Sequence, residues 1–186
     1  EAGVALLFAP LGSGGIEEAV IEAFRQTAAR RKEGWTLLVM GTSSLRSLQR
    51  TGDDEAGMRV VALHQTKALK EMLCAADVAL SGGVSKRAAA DHFVADALRC
   101  GAPVIAGRWE PGAELLTPGK RETDMPGALV EGVETAHWRR VFDEEMHLER
   151  VRALRRVAAA RAESLGMERF MDRLERSLTG LAEGGR

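Results

Sequence analysis

At four points of the chain, each after an apolar run, small residues or exposed backbone groups gather where the sequence could handle a charged small molecule. Gly12-Ser13-Gly14-Gly15 follows residues 4–8 (VALLF) and precedes a helical pattern. Uncovered backbone amides at a helix start can hold a phosphate or a carboxylate. The loop is neither GxGxxG nor a P-loop, and Glu17 and Glu18 in the next turn favour the helix dipole while opposing an anion. Phosphate contact and a plain tight turn both remain readings of it. Gly41-Thr42-Ser43, after residues 35–40 (WTLLVM), offers either close backbone approach to a ligand or a helix cap. His64-Gln65, after residues 58–63, has backbone groups a base could pair with, although Thr66 as an N-cap explains part of the pattern. Ser81-Gly82-Gly83 follows a short apolar run. His92 is either a ligand contact at a helix start or a cap. Trp109, beside Arg108, either lines a site or covers a sheet edge. Cys74 and Cys100 have neither CxxC nor metal spacing, so they are expected to be two small buried thiols in a reducing compartment, with no metal site.

The elements that position these loops follow from hydrophobic period. Apolar runs at 4–8, 35–40, 58–63, 78–80 and 103–106 alternate with helical patterns at 16–31, 66–75 and 92–100. Strands apolar throughout, separated by amphipathic helices, call for a parallel sheet covered on both faces and joined by right-handed crossovers. The expected fold is thus α/β, a doubly wound parallel sheet with a helical C-terminal tail. Ligands of such sheets bind beyond the carboxyl ends of the strands, where the loops above fall. Residues 107–127, with Pro111, Pro118 and Pro126, read as a long surface loop, and 128–130 as a last strand.

The chain has 186 residues, 45% hydrophobic and 28% charged, which suits one soluble globular domain. Its formal net charge of −1 gives no global case for nucleic acid or an acidic membrane, and no apolar run approaches a membrane span. With a strand-like segment opening three residues after Glu1, the chain is expected to be a cut-out domain with a partner half on its N-terminal side. Residues 1–134 form the sheet domain, and 135–186 form helices that pack on it or on the missing half. Arg150, Arg152, Arg155, Arg156 and Arg161 alternate with glutamates, as on a solvated helix face.

The fourth loop carries a resemblance. Residues 75–83 (AADVALSGG) and 92–107 (HFVADALRCGAPVIAG) resemble the donor-binding half of GT-B glycosyltransferases, most of all the Kdo transferases and the retaining enzymes with an E-x7-E signature. Residues 16–24 (IEEAVIEAF) and 161–178 (RAESLGMERFMDRLERSL) fit the same half, so the likeness covers nearly the whole chain, while only the central segment is specific. The resemblance implies a Rossmann-like half of a GT-B fold that holds a nucleotide-sugar and is inactive without an N-terminal acceptor domain. By it, Asp96 stands where the family binds the ribose hydroxyls through a glutamate. The first acid of the E-x7-E pair falls on Ala88, unless Asp91 takes the role. Lys86, Arg87 and Arg108 would replace the basic pair that neutralises the diphosphate.

The implied donor site comprises Gly12, Ser13, Gly14, Gly15, Gly41, Thr42, Ser43, His64, Gln65, Ser81, Gly82, Gly83, Lys86, His92, Asp96 and Arg108. No catalytic residue is assigned. The nucleotide-sugar is substrate rather than cofactor, its nucleotide UDP, CMP or GDP, and the expected location is cytoplasmic. Two alternatives stand beside this one. Nucleotide-sugar 2-epimerases share the fold, but continue Gln-Glu-Glu where this chain has Val84-Ser85-Lys86. A degenerate transferase-like binding module would account for Ala88 and the altered basic pair.

Overall fold

The structure, a computed structural model, describes residues 2–8, 16–31, 34–40, 58–63, 68–82, 89–109, 112–117 and 125–166. The element order is β1 (Gly3–Phe8), α1 (Ile16–Ala28), β2 (Trp35–Met40), β3 (Met58–Leu63), α2 (Leu69–Ala75), β4 (Val78–Ser81), α3 (Ala89–Arg99), β5 (Val104–Gly107), a 3-10 turn (Ala113–Leu116), β6 (Gly127–Val130), α4 (Thr135–Glu145) and α5 (Leu148–Ser164). All five strand pairings are parallel, in the order β3-β2-β1-β4-β5-β6. This is the doubly wound α/β sheet that the apolar runs predict. The long loop contains the 3-10 turn, and the last strand begins at Gly127.

The two faces of the sheet are filled by alternate residues of the same strands, which is why the strands are apolar throughout. Ala5, Leu7, Leu37, Val39, Leu80 and Ile105 pack beneath Val20 and Phe24 of α1 and Trp138 and Phe142 of α4. Leu6, Ala79, Val104 and Ala106 face Leu73 of α2, Phe93, Ala97 and Leu98 of α3 and Ala158 of α5. Aromatic rings join the first layer edge to face, Phe24 lying 6.1 Å from both Trp35 and Phe142. Val60 and Val61 are half-buried because β3 is the sheet's edge, and Leu38 is also half-buried.

Polar contacts fasten α4 and α5. Asp143 of α4 accepts hydrogen bonds from Thr27 Oγ1 (3.1 Å) and Arg30 Nη2 (3.0 Å), while Arg31 donates to the carbonyls of Phe142 and Asp143. Arg155 of α5 donates to the carbonyls of Ala76 (2.7 Å), Cys74 (3.2 Å) and Cys100 (3.4 Å). Arg161 donates to those of Leu115 and Thr117. The α5 arginines therefore do more than solvate a face: two of them cap carbonyls on the body of the domain. Arg152 meets Asp77, whose other oxygen accepts the Val4 amide.

Cys74 and Cys100 are joined as a disulfide between the ends of α2 and α3, with Cα atoms 4.6 Å apart, and Cys74 is exposed. This corrects the expectation of two buried thiols. Apolar spacing registers small buried residues well, but it carries no information on which helix ends meet. Among the described residues, no helix is long and apolar enough to cross a membrane.

Candidate functional site

Register places the strand ends on one line. Phe8 pairs with both Met40 and Ser81, Met40 with Leu63, Ser81 with Ala106, and Gly107 with Val130. Strand order reverses between β1 and β4, the neighbours from which the chain winds in opposite directions, so Phe8 and Ser81 mark the switch point where such sheets take ligands.

Ser81 is buried, and Gly82 lies beneath the start of α1. A Cβ on Gly82 would come within 2.8 Å of Val20 Cγ2 and 3.4–3.5 Å of Trp138 and Ile16. The bare backbone at Gly82 is what lets α1 and α4 close over the end of β4. The same packing fixes the N-terminus of α1, with its positive dipole end, beside the switch point.

On the other face, α3 is held by Phe93, Val94, Ala97 and Leu98, and Phe93 stacks on Phe8 with ring centroids 4.9 Å apart. His92 and Asp96 lie one turn apart on the face opposite this buried set, His92 exposed and Asp96 half-buried. Asp96 Oδ1 accepts a hydrogen bond from Arg99 Nη1 at 3.3 Å, with 44% and 71% of the two side chains exposed. A solvent-screened pair of this kind contributes little and exchanges easily for another partner. Asp96 sits about 10 Å along the helix axis from Ala89.

Arg108 follows β5 and is occupied. Its Nε donates to both oxygens of Glu131 at 2.7 and 2.8 Å, and Nη2 lies 2.7 Å from Oε1. Those hydrogen bonds from Arg108 hold the Glu131 carboxyl below its ordinary range, aided by the charges of Arg108 and Arg140 against some desolvation, and the Arg108 guanidinium is raised correspondingly. Arg108 at rest is thus half of a neutral pair rather than a free cation. Glu131 carries no motif, and only its place one residue after a strand could have flagged it. Trp109 folds over Gly107 and meets Trp138 edge to face at 6.4 Å, so it covers the sheet.

A groove of about 850 Å³ runs between β6 and helices α4 and α5, with Arg108, Leu129, Glu131 and Arg140 in its walls. It flanks the edge strand, two strands from the switch point. Gly12, Ser13, Gly14, Gly15, Gly41, Thr42, Ser43, His64, Gln65, Gly83 and Lys86 lie outside the described residues, as do Arg87 and Ala88. Of the expected donor residues, the structure sets Ser81 and Gly82 at the switch point, His92 and Asp96 together on α3, and Arg108 two residues beyond Ala106, the register partner of Ser81, where it is paired with Glu131.

A parallel sheet wound both ways from β1 and β4, with its strand ends in register, defines a Rossmann-like domain of the kind found in GT-B proteins. The family model for glycosyl transferases group 1 matches residues 16–139, and the chain belongs to that family. No curated protein sequence matches it. HepE of Anabaena, solved in complex with UDP and glucose, superposes with a TM-score of 0.67 at 16% identity, over 96% of this chain and 48% of HepE. The C-terminal domain of a group 1 glycosyl transferase family protein, LpcC of Francisella tularensis, gives a TM-score of 0.65 at 14% identity, over 88% and 85%. Starch synthase IV of Arabidopsis thaliana, bound to ADP and acarbose, gives 0.63 at 11% identity, over 96% and 39%. The chain therefore spans about half the length of HepE and most of the LpcC domain.

Proposed function

We propose that this domain binds the nucleotide-sugar donor of a group 1 glycosyltransferase and contributes binding rather than turnover. The observation that carries the reading is the alignment of strand ends at the β1/β4 switch point, with the start of α1 packed beside it, in a chain of this family. Membership favours the transferase reading over the epimerase alternative. The amide end of α1 suits the negative charge that grows on the leaving diphosphate, and Asp96 would accept two hydrogen bonds from the ribose hydroxyls after releasing Arg99. The closer likenesses, to Kdo transferases and E-x7-E enzymes, belong to this reading as finer forms of it.

A thermal-shift titration with UDP, ADP, CMP, GDP and their sugar conjugates tests the proposal. A ligand at ten times its Kd adds about 1.4 kcal/mol, a few degrees for a domain of this size. Asp96→Ala is expected to abolish the shift while leaving the ligand-free Tm within a few degrees, because its exposed pair with Arg99 supports little folding energy. Unmoved melting curves with every nucleotide at millimolar concentration would overturn donor binding by this domain. A grossly destabilised Asp96→Ala would instead make Asp96 a structural residue.

A further inference from the structure

The C-terminal ends of α2 and α3 meet on the side of the sheet opposite the strand ends discussed above. Cys74 closes the last turn of α2, and Cys100 directly follows α3, their Cα atoms 4.6 Å apart. Two further features hold these ends in place without the sulfur bond. Gly101, at φ +71°, closes α3 in a Schellman motif, its amide donating to Leu98 O (2.9 Å) and the Ala102 amide to Ala97 O (2.9 Å). Arg155 reaches across from α5 to the carbonyls of both cysteines and of Ala76. Its guanidinium also offsets the negative dipole ends of both helices.

Because the Gly101 cap and the Arg155 hydrogen bonds draw on backbone carbonyls and on neither sulfur, we infer that Cys74 and Cys100 form a reversible thiol–disulfide site that exchanges with small-molecule disulfides. Cys74 is exposed and Cys100 half-buried, which sets the order of events. The Cys74 thiolate attacks one sulfur of the small disulfide, forming a mixed disulfide and expelling one small thiolate. The Cys100 thiolate then attacks Cys74 Sγ, forming the internal bond and expelling the second small thiolate. Both protons lost by the cysteines end on the two small thiols, so two electrons pass from the protein to the disulfide. The closed form ties α2 to α3, the helix that carries His92 and Asp96, and the open form leaves the two helices joined by Arg155 and by the core that Leu73 shares with Phe93, Ala97 and Leu98.

Glutathione disulfide is the probe, and the readouts are free-thiol titration and intact mass, neither of which depends on donor binding. Reduced wild type is expected to lose both thiols while gaining no adduct, ending two hydrogens lighter. Cys100→Ser is expected to stop at one glutathione adduct on Cys74, and Cys74→Ser to react much more slowly. With no variant at all, closure in the folded wild type should be about tenfold or more faster than in urea, since the fold holds the sulfurs together. Accumulation of adducts on folded wild type, persistence of both thiols, or equal closure rates in the folded and unfolded chain would each overturn the proposal.

Discussion

Gly82 could serve either of two demands, and a single substitution separates them. If its lack of a side chain serves packing, the Cβ of Gly82→Ala pushes against Val20 Cγ2, and stability falls by about 1–3 kcal/mol whether or not nucleotide is present. If it serves ligand approach alone, the ligand-free melting curve stays where it is and only the ligand-induced shift is lost. The structure favours the first outcome, and paired melts with and without nucleotide check it. Glu131 permits a similar separation. Its carboxyl is held low by Arg108, so the pair's contribution is present above the ordinary carboxylate range and is lost as pH falls through the lowered value of the folded state. Glu131→Gln is expected to flatten that acid limb of a Tm-against-pH profile, an effect that shrinks with added salt because the pair is exposed. It also frees Arg108. Were Arg108 a donor-phosphate ligand, the variant would bind nucleotide more tightly than wild type; unchanged affinity in the same titration would remove Arg108 from the site.

At the scale of elements, α5 is attached by forked hydrogen bonds as well as by Leu148, Val151 and Ala158 in the two cores. Arg155 donates to three carbonyls at the ends of α2 and α3, and a hydrogen bond from a charged donor is worth about 1.5–3 kcal/mol when its loss leaves the acceptor unpaired. Arg155→Ala is expected to lower stability by about 2 kcal/mol in urea melts, and Arg155→Lys to recover only part, since an ammonium cannot span three acceptors as a planar fork does. Full recovery by Lys would mean that charge alone matters there. These contacts show what the sequence could and could not disclose. The strands were legible because burial on both faces leaves an unbroken apolar run, and α3 was legible because Phe93, Val94, Ala97 and Leu98 recur at helical spacing before Gly101. The role of Arg155 was not, since an arginine facing water and one capping a neighbour's carbonyls have the same spacing and the same neighbours in sequence. The Cys74–Cys100 pairing and the Arg108–Glu131 pair were hidden for a related reason. Each joins the ends of separate elements, and no local period records which ends meet. Ser81 and Gly82 were legible as a position, through the strand-then-glycine pattern, whereas the packing demand on Gly82 came from α1 and α4, far away in sequence.

At the scale of the molecule, the proposed function makes the chain one side of a reaction that needs two. Glycosyl transfer requires an acceptor oxygen held against the sugar carbon while charge builds on the departing diphosphate, and orientation of this kind is worth effective concentrations of about 10⁵–10⁸ M. By that proposal the strand ends, the start of α1 and Asp96 hold the donor, and the acceptor is placed by the other half. On the proposed reading the chain alone therefore binds donor while releasing free nucleotide no faster than buffer does, and supplying the rest of a full-length enzyme restores transfer without much change in nucleotide affinity. Coupled detection of released nucleotide, run beside the thermal-shift titration on the same preparation, reads both quantities. Release by the isolated chain at a rate near that of a full-length enzyme would place the chemistry inside these 186 residues. Affinity that appeared only after the second half was added would show instead that the donor site is shared across the cleft, and Asp96→Ala would then have to be read in the assembled protein.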